Sequence, residues 1–303
     1  MTQNPTIFID GEAGTTGLEI RERLATLPVT LHSIDHAHRK DPAARKEAMA
    51  AADLVVLCLP DAASREAVEM AETLDANAPR LLDASTAFRT AAGWVYGFPE
   101  LSAAQAEAIS GAPRVSNPGC YPTGAIALLR PLVDAGLLSA QYPVCINAIS
   151  GYTGGGRSMI EAHEQEGGPA FELYGLGLEH KHVPEIHLHA GLKRRPVFVP
   201  SVGHFARGMI VSIPLHLDDL NGGVSAEDLH SALATRYAGQ DKVRVLNAES
   251  TLSAEALSGS DGMELRVHGS PRNRQALLTA RLDNLGKGAS GAALQNIALM
   301  LGL

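Results

Sequence analysis

Cysteine is scarce in this 303-residue chain, which has three: Cys58, Cys120 and Cys145. An odd count without close spacing excludes a disulfide framework, a zinc ribbon or a CxxC redox pair. Positive charge is also short. With 25 Lys and Arg against 33 Asp and Glu, the net charge is −8. That leaves no basic footprint for nucleic acid and no polybasic patch for a membrane surface. No apolar run approaches the ~20 residues that a membrane span requires. Met1-Thr2-Gln3-Asn4-Pro5 lacks a basic region followed by an apolar core, so a signal peptide is not expected and a cytoplasmic protein is. Internal repeats and low-complexity linkers are missing as well. What remains, 45% apolar and 19% charged, is an ordinary globular composition. The length allows a large core and about two domains.

The three cysteines differ in setting. Cys58 lies in Asp53-Leu54-Val55-Val56-Leu57-Cys58-Leu59-Pro60 and Cys145 in Pro143-Val144-Cys145-Ile146-Asn147, both of which read as buried strands with inert thiols. Cys120 sits outside any strand pattern, in Ser116-Asn117-Pro118-Gly119-Cys120-Tyr121-Pro122-Thr123. Pro/Gly turn signals flank it, and the helical run Gly124-Ala125-Ile126-Ala127-Leu128-Leu129 follows. A sulfur at a helix N-terminus meets unpaired N–H groups and a favourable dipole, which suit a thiolate nucleophile and an oxyanion. On this stretch alone, a small buried core residue is the competing reading.

The N-terminal part reads as α/β. Thr6-Ile7-Phe8-Ile9-Asp10 is β-rich, Gly11-Glu12-Ala13-Gly14-Thr15-Thr16-Gly17 is a glycine-punctuated turn, and Leu18–Leu24 is an amphipathic helix. Strand, glycine turn and helix open a dinucleotide-binding unit, although the spacing is GxxGxxG and an ordinary βα turn is the alternative. Val29–Ile34 is the next strand, ending at Asp35 before His36, His38, Arg39 and Lys40. Asp35 suits a free ribose 2′-hydroxyl, whereas Arg39 and Lys40 suit a 2′-phosphate, and the residues alone leave both open. Asp41–Ala52 is helical, Leu54–Leu59 a strand, Asp61 onward a helix, and Arg80–Asp83 a strand leading to Ser85 and Arg89. This alternation indicates a parallel sheet. Arg89 stands where such sheets bind ligands, and an exposed surface arginine explains it equally well.

After Cys120 the pattern turns strand-rich. Tyr142–Ile149 leads into Ser150-Gly151-Tyr152-Thr153-Gly154-Gly155-Gly156-Arg157, read as a flexible polar loop with one cation. Strands are expected at Pro196–Val202, Met209–His216, Lys242–Val245, Leu265–Gly269 and Ala276–Leu282, mostly antiparallel and with few long helices. Leu282-Asp283-Asn284-Leu285-Gly286-Lys287-Gly288-Ala289-Ser290-Gly291 is a glycine-rich loop feeding a terminal helix, Ala292–Leu301. Between these lies His180-Lys181-His182-Val183-Pro184-Glu185. Alternate histidines on a strand suit a metal, but a third ligand is wanting. A general acid/base is the better functional reading, and packing histidines are the plain one.

Taken together, a dinucleotide unit, an exposed cysteine and a histidine segment suggest cofactor-dependent reduction through a thioester. The Cys120, His180–Glu185 and Leu282–Gly291 segments, with Val95-Tyr96-Gly97-Phe98-Pro99-Glu100, resemble N-acetyl-gamma-glutamyl-phosphate reductases of the shorter type, over nearly the whole chain. Thr15-Thr16 stands where the longer type has tyrosine and threonine, so loop contacts of the longer type do not transfer. The resemblance implies a Rossmann-like domain over 1–116, completed by a C-terminal helix at 285–303. It implies an α+β catalytic and oligomerisation domain over 117–284. It further implies NADPH/NADP+ as cofactor, an acyl phosphate substrate, a place in arginine biosynthesis and a homo-oligomer, dimer or tetramer. Cys120 becomes the nucleophile and His182 the acid/base, with His180 second. Arg89, Asn117, Arg157, His180 and Glu185 become substrate contacts. Gly11, Gly14, Thr15, Thr16, Gly17, Arg39, Ser85, Asn284, Lys287 and Gly288 become cofactor contacts, and no metal is implied. Another acyl-phosphate reductase, such as aspartate-semialdehyde dehydrogenase, is the near rival. A nicotinamide sensor is a rival from another class, and a Cys–His hydrolase would leave the glycine turn without a purpose.

Overall fold

The alternation of apolar runs and helical stretches in the first third becomes a parallel sheet. In the computed structural model, which describes residues 4–303, it is built from β1 (Thr6–Asp10), α1 (Thr15–Leu24), β2 (Thr30–His32), α2 (Pro42–Ala50), β3 (Leu54–Leu57), α3 (Asp61–Glu72), β4 (Arg80–Asp83), β5 (Val95–Tyr96), α4 (Gln105–Gly111) and β6 (Arg114–Ser116). Met1, Thr2 and Gln3, on which part of the signal-peptide expectation rests, lie outside the described residues. The strand order is β2-β1-β3-β4-β6-β5, and every pairing is parallel. Side chains alternate across the sheet. Ile7, Ile9, Leu54 and Val56 enter one core cluster, and Phe8, Val55 and Leu57 enter another. Both faces are therefore covered, as a parallel sheet requires. Each fully buried side chain of this size contributes about 1.5–3 kcal/mol.

A second group of elements comprises α5 (Cys120–Asp134), β7 (Cys145–Gly151), α6 (Arg157–Glu164), β8 (Phe171–Leu173), α7 (Val183–His189), β9 (Val197–Gly203), β10 (Met209–His216), α8 (Ala226–Arg236), β11 (Val243–Val245), β12 (Met263–Ser270) and β13 (Gln275–Leu282). Its seven described strands run β11-β12-β13-β10-β7-β9-β8. The sheet is mixed: β7–β9 and β11–β12 are parallel, and the remaining pairings are antiparallel. Helix α5 is apolar nearly all round, the pattern of a helix enclosed by its unit. It lies so close to the sheet that a Cβ on Gly124 would come within 2.9 Å of Val211 Cγ2.

By contact the chain forms two compact units. One takes the described chain up to Pro99 with Ala103–Pro118 and Ala289–Leu303, and the other takes Glu100–Ser102 with Gly119–Gly288. The last helix, α9 (Gly291–Leu301), belongs to the first unit, where Ala293, Ile297 and Met300 share a core with Ile7 and Leu54. Among the described residues no helix is long and apolar enough to cross a membrane.

Several local expectations need correcting. The stretch Ser150–Arg157 is ordered, not a flexible loop: β7 runs to Gly151, a 3-10 turn spans Tyr152–Gly155, and Arg157 opens α6. Gly156, at φ +75°, makes the corner that a residue with a side chain would resist. Cys58 stands one residue beyond β3 and not inside it. The glycine-rich return segment is a π-helical turn, Gly286–Ser290, running into α9. His180 and His182 precede α7 and do not lie on a strand, which removes the premise of the metal reading.

Candidate active site

In the first unit the glycine turn forms a cradle. Gly11 has φ +93°, and a Cβ there would lie 2.4 Å from the Cys58 carbonyl oxygen. A Cβ on Gly17 would lie 2.5 Å from the Gly11 oxygen, so both positions require glycine. Gly14 is the N-cap of α1 and offers no side-chain cap. Thr15 and Thr16 form the first helical turn, so their N–H groups are among the donors a helix N-terminus leaves for an anion. Beside them opens a cavity of about 490 Å³, lined by Asp10, Gly11–Gly14, His36, Arg39, Lys40, Arg45, Cys58 and apolar residues. Arg39 pairs with the His36 ring. Asp35 is turned away: its Oδ1 accepts the Ala37 N–H at 3.1 Å and it is not among the lining residues. Of the two readings of this corner, the residues that reach the cavity are the basic ones. The cradle fits a dinucleotide: donors for the pyrophosphate, glycines where backbone must approach, and cations where a ribose phosphate would lie.

Ser85, Arg89 and Asn117 serve the same unit's strand ends. The buried Ser85 Oγ donates to Asp83 Oδ2 at 2.7 Å. Arg89, 8% exposed, donates from Nε to the Asn117 carbonyl at 2.9 Å and from a terminal nitrogen to the Ala84 carbonyl at 3.3 Å. Asn117 donates to the Ala289 carbonyl at 3.0 Å and accepts from Asn296 Nδ2 at 3.0 Å. These bonds hold the strand-end loops in place.

In the second unit Cys120 is the first residue of α5, half-buried, with Gly119 as an N-cap that brings no side chain. The helix behind it is anchored by the fully buried Ile126, Leu128, Leu129 and Leu132. Glu185, 1% exposed, accepts the Gly119 N–H on Oε1 at 2.8 Å. Thr123 Oγ donates back to the Gly119 carbonyl at 2.9 Å. Tyr121 faces both histidines, with ring centroids 6.2 Å from His180 and 5.9 Å from His182. Tyr174 and Phe198 complete an aromatic cage around His180. His180 Nδ1 accepts the His182 backbone N–H at 3.1 Å, so that nitrogen carries no proton. Burial, with the neighbouring Lys181 charge, pushes the His180 pKa down to about 4. His182 is buried at the N-cap of α7. The segment thus supplies a neutral ring in a cage and a second histidine beside the cysteine's helix.

The remaining candidates are placed as follows. Gly288 lies flush against the cysteine, and a Cβ there would come within 2.9 Å of Cys120 Cβ. Asn284 accepts the Gly208 N–H at 2.8 Å and donates to Thr153 Oγ at 2.8 Å, locking two loops together. Lys287, expected as a cofactor contact, is 1% exposed with its ammonium on both Glu100 oxygens at 2.8 and 2.9 Å. Arg157 is exposed at the start of α6.

Two family matches cover most of the chain: "Semialdehyde dehydrogenase, NAD binding domain" over residues 12–109 and "Semialdehyde dehydrogenase, dimerisation domain" over residues 120–284. N-acetyl-gamma-glutamyl-phosphate reductase 2 of Pseudomonas putida is 54% identical, the alignment covering 98% of this chain and 97% of that one. The N-acetyl-gamma-glutamyl-phosphate reductase of Brucella ovis is 53% identical over 98% of this chain and 99% of its own. The chain belongs to the N-acetyl-gamma-glutamyl-phosphate reductase family. Among solved structures, aspartate semialdehyde dehydrogenase II of Vibrio cholerae aligns with TM-score 0.72 at 16% identity, covering 99% of both chains. That of Francisella tularensis aligns with TM-score 0.73 at 11% identity, covering 99% of this chain and 100% of that one. At such identity the likeness is one of fold.

Within this reductase chain, sequence reading missed the groups that hold others in place. Arg45 grips Asp10 at 2.6 Å on the cavity wall, and Glu100 pairs with Lys287. Tyr121 and Tyr174 form the cage, hydroxyl to hydroxyl at 3.1 Å. The one available signal was Asp10, an acid ending a buried strand, which calls for a partner.

Proposed function

We propose that the chain reduces N-acetyl-L-glutamyl 5-phosphate to N-acetyl-L-glutamate 5-semialdehyde and phosphate, with NADPH, in arginine biosynthesis in the cytoplasm. The observation that carries the reading is the tie between the HKHVPE segment and the cysteine's helix, from Glu185 to the Gly119 N–H at 2.8 Å. It stands in a chain 53–54% identical to reductases of that name. In this reading the first unit is the dinucleotide-binding domain and the second the catalytic one. Gly11, Gly14, Thr15, Thr16 and Gly17 hold the pyrophosphate, and Arg39 with Lys40 holds the 2′-phosphate, which selects NADPH.

Cys120 gives up its proton to His182, and the thiolate attacks the acyl carbon. A C–S bond forms, the C–O bond to phosphate breaks, and the proton leaves on the phosphate. A nicotinamide held by the first unit would supply the hydride that the thioester carbon needs to reach the aldehyde level. Helix N–H groups beside Cys120 then hold the oxyanion until the C–S bond breaks, releasing aldehyde and restoring the thiolate. One hydride and one proton are consumed per aldehyde and phosphate formed. His182 is preferred over His180 because burial lowers the His180 pKa to about 4, which makes that ring a poor proton acceptor, and its Nδ1 already accepts a hydrogen bond at 3.1 Å. The exposed Arg157 suits a substrate anion, and Gly288 keeps the sulfur uncrowded. Arg89 and Asn117 act on the loop before Cys120, and Ser85, Asn284 and Lys287 support the walls. The second unit carries self-association into a dimer or tetramer, supported by its dimerisation-domain match and by the exposed Phe171, Leu173, Val197 and Leu277.

The test runs the reaction backward. Purified protein given N-acetylglutamate semialdehyde, phosphate and NADP+ forms NADPH. Aspartate semialdehyde, or NAD+ in place of NADP+, runs at least ~10²-fold slower. His182→Asn slows turnover by ~10²–10⁴-fold. Preference for the aspartyl substrate would move the chain to the rival reductase, and no turnover of either would favour a nucleotide sensor.

A further inference from the structure

We propose that Glu185 is a positioning residue: through the Gly119 N–H it sets the register between the cysteine and the histidine segment. The inference rests on the thioester reading above. Sequence reading made Glu185 a substrate contact, but at 1% exposure its carboxylate offers almost no surface to a small molecule. Its Oε1 instead accepts the Gly119 N–H at 2.8 Å, joining positions 66 residues apart.

Both ends of that bond sit next to a reacting group. Gly119 is the N-cap of α5, extended at φ −77° and ψ 154°, and the next residue is Cys120. The Gly119 carbonyl is held from within the helix, by Thr123 Oγ at 2.9 Å and the Thr123 N–H at 3.0 Å. Glu185 holds the N–H on the other side, so the peptide planes before and after Gly119 are both fixed, and with them the direction in which Cys120 leaves the cap. At the other end Glu185 lies in the first turn of α7, whose N-cap is His182. About one helical turn separates the two residues, so the backbone that fixes one fixes the other. The His182 N–H is fixed in turn by His180 Nδ1 at 3.1 Å. A hydrogen bond from an amide to a carboxylate is charge-assisted and short, which suits a link meant to hold one geometry.

The experiment uses the full chain with Glu185→Ala and Glu185→Gln, measuring kcat and KM and the alkylation of Cys120 by iodoacetamide. Glutamine keeps an acceptor oxygen at the same reach, and alanine removes it. In Glu185→Ala, kcat falls about 10²-fold, as expected for misplacing a reacting group by about 1 Å. KM for the acyl substrate stays within about threefold and Cys120 is still alkylated, while Glu185→Gln returns kcat to within about fivefold of wild type. Wild-type kcat in the alanine variant overturns the proposal. So does a raised KM with unchanged kcat, which marks a substrate contact, and so does a glutamine variant as damaged as the alanine one. Should the alanine variant fail to fold, a loss of more than about 30-fold in Glu185→Gln overturns it alone. Wild-type turnover reports on the reaction assigned above, and the ratio of variant to wild type reports on Glu185.

Discussion

Two cysteines, one in each unit, stand at element ends and meet opposite surroundings. Cys58 follows β3 and lines the cavity beside the glycine turn, and burial pushes its thiol up to about 12, with the Asp83 and Asp10 carboxylates adding to the effect. Cys120 begins a 15-residue helix, where N–H groups and the helix dipole favour the anion. The difference teaches that a place at an element's edge does not make a thiol reactive; burial, and then the sign of the neighbouring charge, decide it. The sharpest way to break the comparison is substitution. In the proposed thioester mechanism no other group carries the acyl chain, so Cys120→Ser loses at least ~10⁴-fold in turnover. Cys58→Ser stays within about threefold. Iodoacetamide at neutral pH labels Cys120 first, as read by peptide mass spectrometry. Equal labelling of Cys58 would end the contrast.

A second contrast concerns two cations that the sequence offered alike as cofactor contacts. Lys287 is sealed in the second unit against Glu100, and Arg39 is exposed at the cavity of the first. Lys287→Met leaves a buried carboxylate uncompensated and costs about 3–5 kcal/mol of stability. At roughly 2–4 °C per kcal/mol for a chain of this size, thermal unfolding falls by about 6–20 °C. Arg39→Ala with Lys40→Ala changes stability by less than about 0.5 kcal/mol. It raises KM for NADPH by ~10–100-fold, the worth of lost charged hydrogen bonds, and leaves KM for NADH unchanged. A stable Lys287→Met protein with a weakened cofactor KM would reverse the two roles.

These pairs also mark where the sequence stops being legible. Strands such as Arg80–Asp83 and Met209–His216 were readable to the residue, because apolar runs or strict alternation ended at clear turn signals. β5 and β6, of two and three residues, carry too little pattern to be seen and are strands only because neighbours pair with them. In the site, Cys120 and the two histidines stood out by local punctuation. The roles of Glu185 and Lys287 did not, since their partners lie 66 and 187 residues away. Residue type announces chemistry, but only the fold decides whether a charge faces solvent, a ligand or another charge.

The smallest effect separates the units by their response to acid. In the first unit Asp83 is fully buried, and burial raises its pKa. The folded state there holds a proton the unfolded chain has lost, so this group favours folding as pH falls. His180 in the second unit does the reverse. Its ordinary value of 6.5 is lowered to about 4 by burial in the aromatic cage. Between those values the unfolded chain binds a proton that the native ring refuses, so stability is full above about 6.5 and is lost as pH falls toward 4. Protonation also ends the Nδ1 acceptor role toward the His182 N–H, so the histidine segment loosens where the ring charges. His180→Phe keeps an aromatic ring in the cage and removes the titration. Urea midpoints at pH 7 and pH 4.5 therefore fall less in His180→Phe than in wild type, while Cys58→Ser, in the other unit, follows the wild-type curve. Equal acid losses in all three would place the acid-sensitive group elsewhere and leave His180 a packing residue.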